Sequence, residues 1–352
     1  MPSLFAASPS NVRVVWIIFD ELAQSIAFER RPSNLQLPSL DRLKSECFYA
    51  SSAHAPDVVT EKSIPGLILG EKVLDDIHDG PDALILRTPS RPDGFSWSSA
   101  RNIFDRARDL GFNTALAGWY HPYGRLLNRS LTKCYWTPIR LNAGIEEPFH
   151  PRALWKEMWD RATLQFSTLP LIGHVPGLSP IVAERRLKIE KFAFLRDRAI
   201  ELVVDPSIGL VLLHLPVPHP PAIYDRSTRA LATHGNIGYF DNVALADETL
   251  GILRRRMEQA GVWERSAVLV SADHGWRTNV WRGGPDWNAS EEAASGEDTS
   301  GVPFLLKLPG RQTGLAYDKR FDTLVTQSLI LDILRGTLRD AAAIPGLIER
   351  PN

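Results

Sequence analysis

The sequence predicts an α/β protein with a mostly parallel central sheet and helices on both of its faces. Three observations carry this. Residues 14–19 (VVWIIF), 208–213 and 267–271 are short, almost wholly apolar runs, the composition of strands buried on both faces. Segments of helical spacing alternate with them, at 181–204 and 240–259. The chain of 352 residues is 44% hydrophobic and 23% charged, enough apolar material for a large core and too little charge for disorder.

The elements follow in order. Arg13 is the polar entry to the first strand, and Asp20-Glu21 its abrupt polar exit. A helix over 40–48 starts at Pro38-Ser39. Residues 64–69 are apolar and close on Gly70, and 99–110 reads as a helix ended by Gly111 before a strand at 113–117. The stretch 133–179, rich in Pro and Trp (Trp136, Trp155, Trp159), reads as an irregular insertion over the sheet or its ligand edge. The long mixed-charge helix 181–204, the strand 208–213, the helix 240–259 and the strand 267–271 come next. A polar loop fills 275–301, and a strand at 304–308 and a helix at 323–334 close the pattern.

Charge and cysteine content mostly exclude. The balance of 40 Lys+Arg against 41 Asp+Glu argues against a general nucleic-acid binder, while leaving room for one local anion pocket. Cys47 and Cys134 are the only cysteines, so there is no disulfide framework and no CxxC knuckle. No apolar run approaches the ~18–20 residues of a membrane span. Residues 1–12 lack the pattern of a signal peptide, so the expectation is a soluble chain, or the soluble part of something larger. At about 150 residues per domain, the length admits two domains or one large one.

Open α/β sheets bind ligands beyond the carboxyl ends of their strands, so residues leaving strands are the candidates for chemistry. Asp20-Glu21 and Asp273-His274 both leave predicted strands, and together they make a plausible site for one divalent ion. Taken singly, an Asp there is as often a helix cap. Thr60 precedes an apolar helical run, where backbone N–H groups attract a phosphate or sulfate; an ordinary N-cap is the plainer reading.

Order and spacing add a resemblance. VVWIIFDEL (14–22), LPSLDRL (37–43), Thr60 ten residues before Gly70, GFNTALAG (111–118) with His121, 239–253, 268–275 (VLVSADHG), Val302-Pro303 and 322–334 resemble, in sequence, the motifs of the alkaline phosphatase superfamily. The resemblance is specifically to its sulfatase-like and phosphoethanolamine- or phosphoglycerol-transferase-like branches. The resemblance covers about residues 12–337 and implies an alkaline-phosphatase-like three-layer sandwich, one catalytic domain over 10–340 with a tail at 341–352. It also implies a nucleophile at Thr60 and one metal, Mn²⁺ or Zn²⁺ (Ca²⁺ or Mg²⁺ as alternatives), held by Asp20, Thr60, Asp273 and His274, with Glu21 as a further ligand.

Departures from the family pattern bear on the reaction. Sulfatases carry a Cys or Ser, converted to formylglycine, where Thr60 stands; their Arg four residues on is Ile64, and the Lys of "GKWH" is Trp119. No His follows His274, so the late ligand of a second zinc is missing. The expectation is therefore a metal-dependent phosphoryl-transfer enzyme with a phospho-threonine intermediate, acting on a small-molecule or lipid-head-group phosphate ester. A membrane-embedded partner chain would suit the latter. The alternatives are a sulfuric-ester hydrolase and a catalytically silent binding protein. His219, in a segment resembling the transferases' "HxxGSHxPY", is expected to contact substrate or protonate the leaving group, and His121, Lys62 and Arg277 to bind substrate. His214 reads as structural, and Trp276, Trp281 and Trp287 as either pocket wall or core.

Overall fold

Between Arg13 and Asp20 the chain carries no polar side chain, so only the middle of a sheet can satisfy its backbone. The computed structural model describes residues 1–5, 12–78, 84–138, 158, 179–296, 298–310 and 314–350. In it, β1 (Arg13–Phe19) is buried at every position and central to an eight-stranded sheet. The other strands are β2 (Phe48–Ala50), β3 (Thr114–Tyr120), β4 (Lys133–Pro138), β5 (Leu210–Leu215), β6 (Ser266–Ser271), β7 (Phe304–Lys307) and β8 (Leu315–Tyr317), in spatial order β8-β2-β7-β6-β1-β5-β3-β4. All run parallel except β7, which pairs antiparallel with both neighbours. Its reversal has a simple cause: the loop from 272 to 303 stays at the end of the sheet where β6 leaves it, so the chain must return the other way.

Two helical layers cover the sheet. On one face α1 (Pro38–Glu46), α4 (Pro180–Val204) and α5 (Tyr239–Gln259) pack together; on the other lie α2 (Thr60–Leu69), α3 (Ile103–Asp109) and α6 (Thr326–Arg335). This is the three-layer sandwich expected from the sequence. The helix ends are set locally. Asp247 accepts from Ser39 N at 3.2 Å and Leu40 N at 2.7 Å, capping α1 from α5. Asn102 and Asp105 form a reciprocal cap that starts α3 at 103, four residues after the predicted 99. Gly70 ends α2 at φ 73°, and a Cβ there would lie 2.7 Å from Gln327.

Three segments depart from expectation. Residues 133–138, read as the start of the insertion, form the edge strand β4, because Lys133, Tyr135 and Thr137 alternate with less polar neighbours along β3. The rest of that stretch, except 158, lies outside the described residues. A small antiparallel sheet of Asp75–His78, Leu84–Thr88 and Arg91–Ser96 escaped notice, its sequences being short, polar and Pro/Gly-containing. Part of the expected tail folds back as a short helix, Ile344–Ile348, with Ile344 buried. Among the described residues no helix is long and apolar enough to cross a membrane.

Candidate active site

The carboxyl ends of β1, β5 and β6 meet the start of α2. Asp20 is the first residue beyond β1, its N–H still donating to Leu215 O at 3.0 Å. One carboxylate oxygen, Oδ2, accepts from Trp119 Nε1 at 2.8 Å. Glu21 follows at φ 72°, a left-handed conformation that costs a non-glycine residue about 1 kcal/mol or more. That turn aims its N–H at Asp273 Oδ1, 3.1 Å away. Asp273 Oδ1 also accepts from His274 N at 2.9 Å, which leaves Oδ2 to accept the Thr60 hydroxyl at 2.7 Å.

Thr60 opens α2, where unpaired N–H groups give the helix end its positive character. Its Oγ1 lies 3.3 Å from His274 Nε2. That nitrogen is 3.5 Å from Asp273 Oδ2 and 3.7 Å from Asp20 Oδ1. His274 Nδ1 faces Gly275 O at 2.9 Å, so the proton sits on Nδ1 and the Nε2 lone pair points into the centre. The ligand atoms of Asp20, Asp273 and His274 lie within 4.8 Å of one another, all buried.

This donor set fits a divalent cation. Asp20 Oδ1, Glu21 Oε2 and His214 Nε2 are buried without a hydrogen-bond partner, an expensive state for a carboxylate unless a ligand completes it. Burial pushes the Asp20 carboxyl up, but His219, His214 and His274 outweigh it and hold its pKa well below the ordinary value. Burial pulls His274 down, yet Asp273, Asp20 and Glu21 raise it on balance. Glu21 is pushed up to about 7 by burial, against the pull of His274 and Arg277.

The structure brings most of the expected residues together. His121 is buried with Nε2 3.4 Å from Thr60 O, and burial drives its pKa down to about 3. His219, half-buried, stands edge-on to Trp119 with ring centroids 4.8 Å apart, and burial likewise takes it down to about 3. Its Nδ1 faces Pro220 O at 2.7 Å, which fixes the proton there and leaves Nε2 as an acceptor. Two candidates stand differently. Arg277 is turned toward Glu21, its backbone N–H 2.7 Å from Oε1 and its guanidinium 3.6 Å from Oε2. Lys62 Nζ donates to Leu74 O at 3.1 Å, away from the carboxylates. Of the tryptophans, Trp276 stacks on Tyr239 at 4.3 Å and Trp281 Nε1 donates to Glu21 Oε1 at 3.2 Å, so both serve packing and the Glu21 shell.

Two neighbours of the centre were missed from sequence. His214, read as structural, places Nε2 3.6 Å from Asp20 Oδ2 while Tyr123 Oη meets its Nδ1 at 2.8 Å. It leaves a predicted strand, so the rule that selected Asp20 and Asp273 selects it too. Lys188 is buried with its Nζ on His219 O. Its signal was periodicity: Val182, Arg185, Lys188, Phe192, Leu195, Ala199 and Leu202 form the buried stripe of α4. Burial draws Lys188 down to about 7, against Asp20, Glu21 and Asp286.

Comparison with known proteins agrees with this architecture. No family profile matches the chain. An ulvan-active sulfatase of Formosa agariphila is 22% identical over 345 residues, 90% of this chain, which spans 60% of that protein's length. The PsFucS1 sulfatase from Pseudoalteromonas sp. superposes with a TM-score of 0.59 at 14% identity, over 92% of this chain and 67% of the other. The phosphonate monoester hydrolase of Agrobacterium radiobacter does so with a TM-score of 0.53 at 12% identity, over 92% and 73%. In fold, the chain is similar to the sulfatase-like proteins of the alkaline phosphatase superfamily.

Proposed function

We propose that the chain is a metal-dependent hydrolase of esters of a tetrahedral oxyacid, with sulfuric esters the class its sulfatase relatives favour. The observation that carries the reading is the buried Thr60 hydroxyl, held between Asp273 Oδ2 and His274 Nε2 beside Asp20. Asp20, Asp273, His274 and Thr60 would hold the ion, and carboxylate, hydroxyl and imidazole donors suit Mn²⁺ or Zn²⁺. A divalent ion bound there supplies Lewis acidity and lowers the pKa of the hydroxyl. Thr60 gives its proton to Asp273 Oδ2, its oxygen bonds to the sulfur or phosphorus, and the ester oxygen leaves with the bonding pair. His219 Nε2, unprotonated near pH 7, then takes a proton from the water that releases the oxyanion from Thr60. This gives His219 a base role, where the sequence led to the expectation that it contacts substrate or protonates the leaving group.

Phosphoryl transfer is the second reading, and one observation favours it: Thr60 is a plain secondary alcohol that cannot become the aldehyde sulfatases use. The two separate in one experiment. Purified protein with Mn²⁺ or Zn²⁺ is offered 4-nitrophenyl sulfate, 4-nitrophenyl phosphate and 4-nitrophenyl phenylphosphonate. Turnover highest on the sulfate supports the first reading, and highest on either phosphorus ester the second. No turnover of any of them with either metal removes both.

A further inference from the structure

We propose that Lys188 is the residue that grips the non-bridging oxygens of the substrate's oxyacid group, supplying from α4 the positive charge that the strand-end motifs of this chain lack. The inference rests on the ester-hydrolase reading and deepens it. Its ground is geometric. The position expected to carry a cation at the exit of β3 holds Trp119, whose Nε1 is committed to Asp20 Oδ2 at 2.8 Å. Lys188 Nζ lies 5.9 Å from the centroid of that same indole, and it donates to the carbonyl of His219, whose ring packs 4.8 Å from Trp119. The ammonium thus shares its surroundings with both Asp20 and His219.

Three other cations in the region each already face a carboxylate or a carbonyl. Arg277 faces Glu21 at 3.6 Å; Arg185 is paired with Asp286 and donates to Thr233 O at 3.2 Å; Lys62 is tied to Leu74 O at 3.1 Å. Unlike the two arginines, Lys188 has no paired carboxylate among the described residues, and unlike Lys62 it is buried. An ammonium has three donors, and among the described residues its one hydrogen-bond acceptor is His219 O. Lys307 shows what a buried structural lysine looks like in this fold: its Nζ donates to Trp263 O, Ser266 O and Leu308 O at 3.0, 3.1 and 3.1 Å. With two donors left without an acceptor among the described residues, a buried cation that shares its surroundings with Asp20 and His219 is suited to clamp an oxyanion.

The test uses the full chain loaded with Mn²⁺ and two probes, inorganic sulfate and inorganic phosphate, titrated calorimetrically into the parent, K188M and K188Q. Folding is monitored by circular dichroism and Mn²⁺ affinity by electron paramagnetic resonance. Both variants should bind the preferred anion roughly 10- to 100-fold more weakly, as loss of charge-assisted hydrogen bonds predicts, with Mn²⁺ affinity within about threefold of the parent. Should either folded variant bind the anion as the parent does, the clamp is overturned while the hydrolase reading stands. If the parent turns over an ester yet binds neither anion, the clamp is again overturned. A parent that neither binds nor hydrolyses removes both.

Discussion

The two ends of the central sheet both bury charge and bond it in different ways. At the amino end, Arg13 donates to Val203 O at 2.8 Å and Leu202 O at 3.2 Å, closing the last turn of α4. Lys307, on the returning strand β7, spends all three donors on carbonyls. At the carboxyl end, among the described residues, Asp20 Oδ1, Glu21 Oε2 and His214 Nε2 have no hydrogen-bond partner, and Lys188 has one acceptor. The charges at the amino end bond main-chain carbonyls and stitch elements together, while those at the carboxyl end cluster around one point where a ligand could complete them.

The sharpest way to break this contrast is at the nucleophile. Thr60→Ala should lower kcat by about 10³-fold or more in a standard ester assay while the protein stays folded, because the attacking oxygen is gone and only its contacts with Asp273 and His274 are lost with it. Activity within a few-fold of the parent would remove Thr60 from the mechanism. Next in size is the metal response. Saturating Mn²⁺ or Zn²⁺, at about 100 times its Kd, should stabilise the parent by about 2.7 kcal/mol in thermal melts. Asp273→Asn should lose that gain, yet melt no lower than the parent when both are stripped of metal, since it removes one of three crowded buried carboxylates.

The amino end predicts the reverse. Lys307→Met should cost about 1–3 kcal/mol in urea unfolding, with kcat/KM and the metal response unchanged, as three buried carbonyls lose their donor. A matching loss of activity would collapse the distinction between the two ends. The smallest effect is in pH. Burial lowers Lys307 from 10.5 to about 8, against the pull of Glu264. Between those values the unfolded chain holds a proton that the folded one has released, so folding gains stability as pH rises. The parent should therefore gain on K307M from pH 8 to 10.5, with the difference level below pH 8; a gap constant across the range would show that Lys307 keeps its charge.

Much of the fold was legible because its strands are apolar on both faces and its helices carry plain stop signals, as at Gly70 and Gly111. The site was legible wherever a polar residue leaves such a strand: Asp20, Asp273 and His274 stand where that rule places them, and His214 obeys it equally. Lys188 was not legible as a site residue, since it sits inside a mixed-charge helix whose buried face only three-dimensional packing reveals. Nor was the engagement of Arg277 by Glu21, which needs the left-handed turn at residue 21. Strands such as β2 and β8 are three residues long, too short for any periodicity to register.

The most direct test of the account is anomalous diffraction at the manganese edge from crystals of the full chain grown with Mn²⁺. The account predicts one strong peak, bonded to Asp20, Asp273 and His274 with Thr60 Oγ1 beside it. A fully occupied manganese elsewhere, with these four side chains unligated, would contradict it.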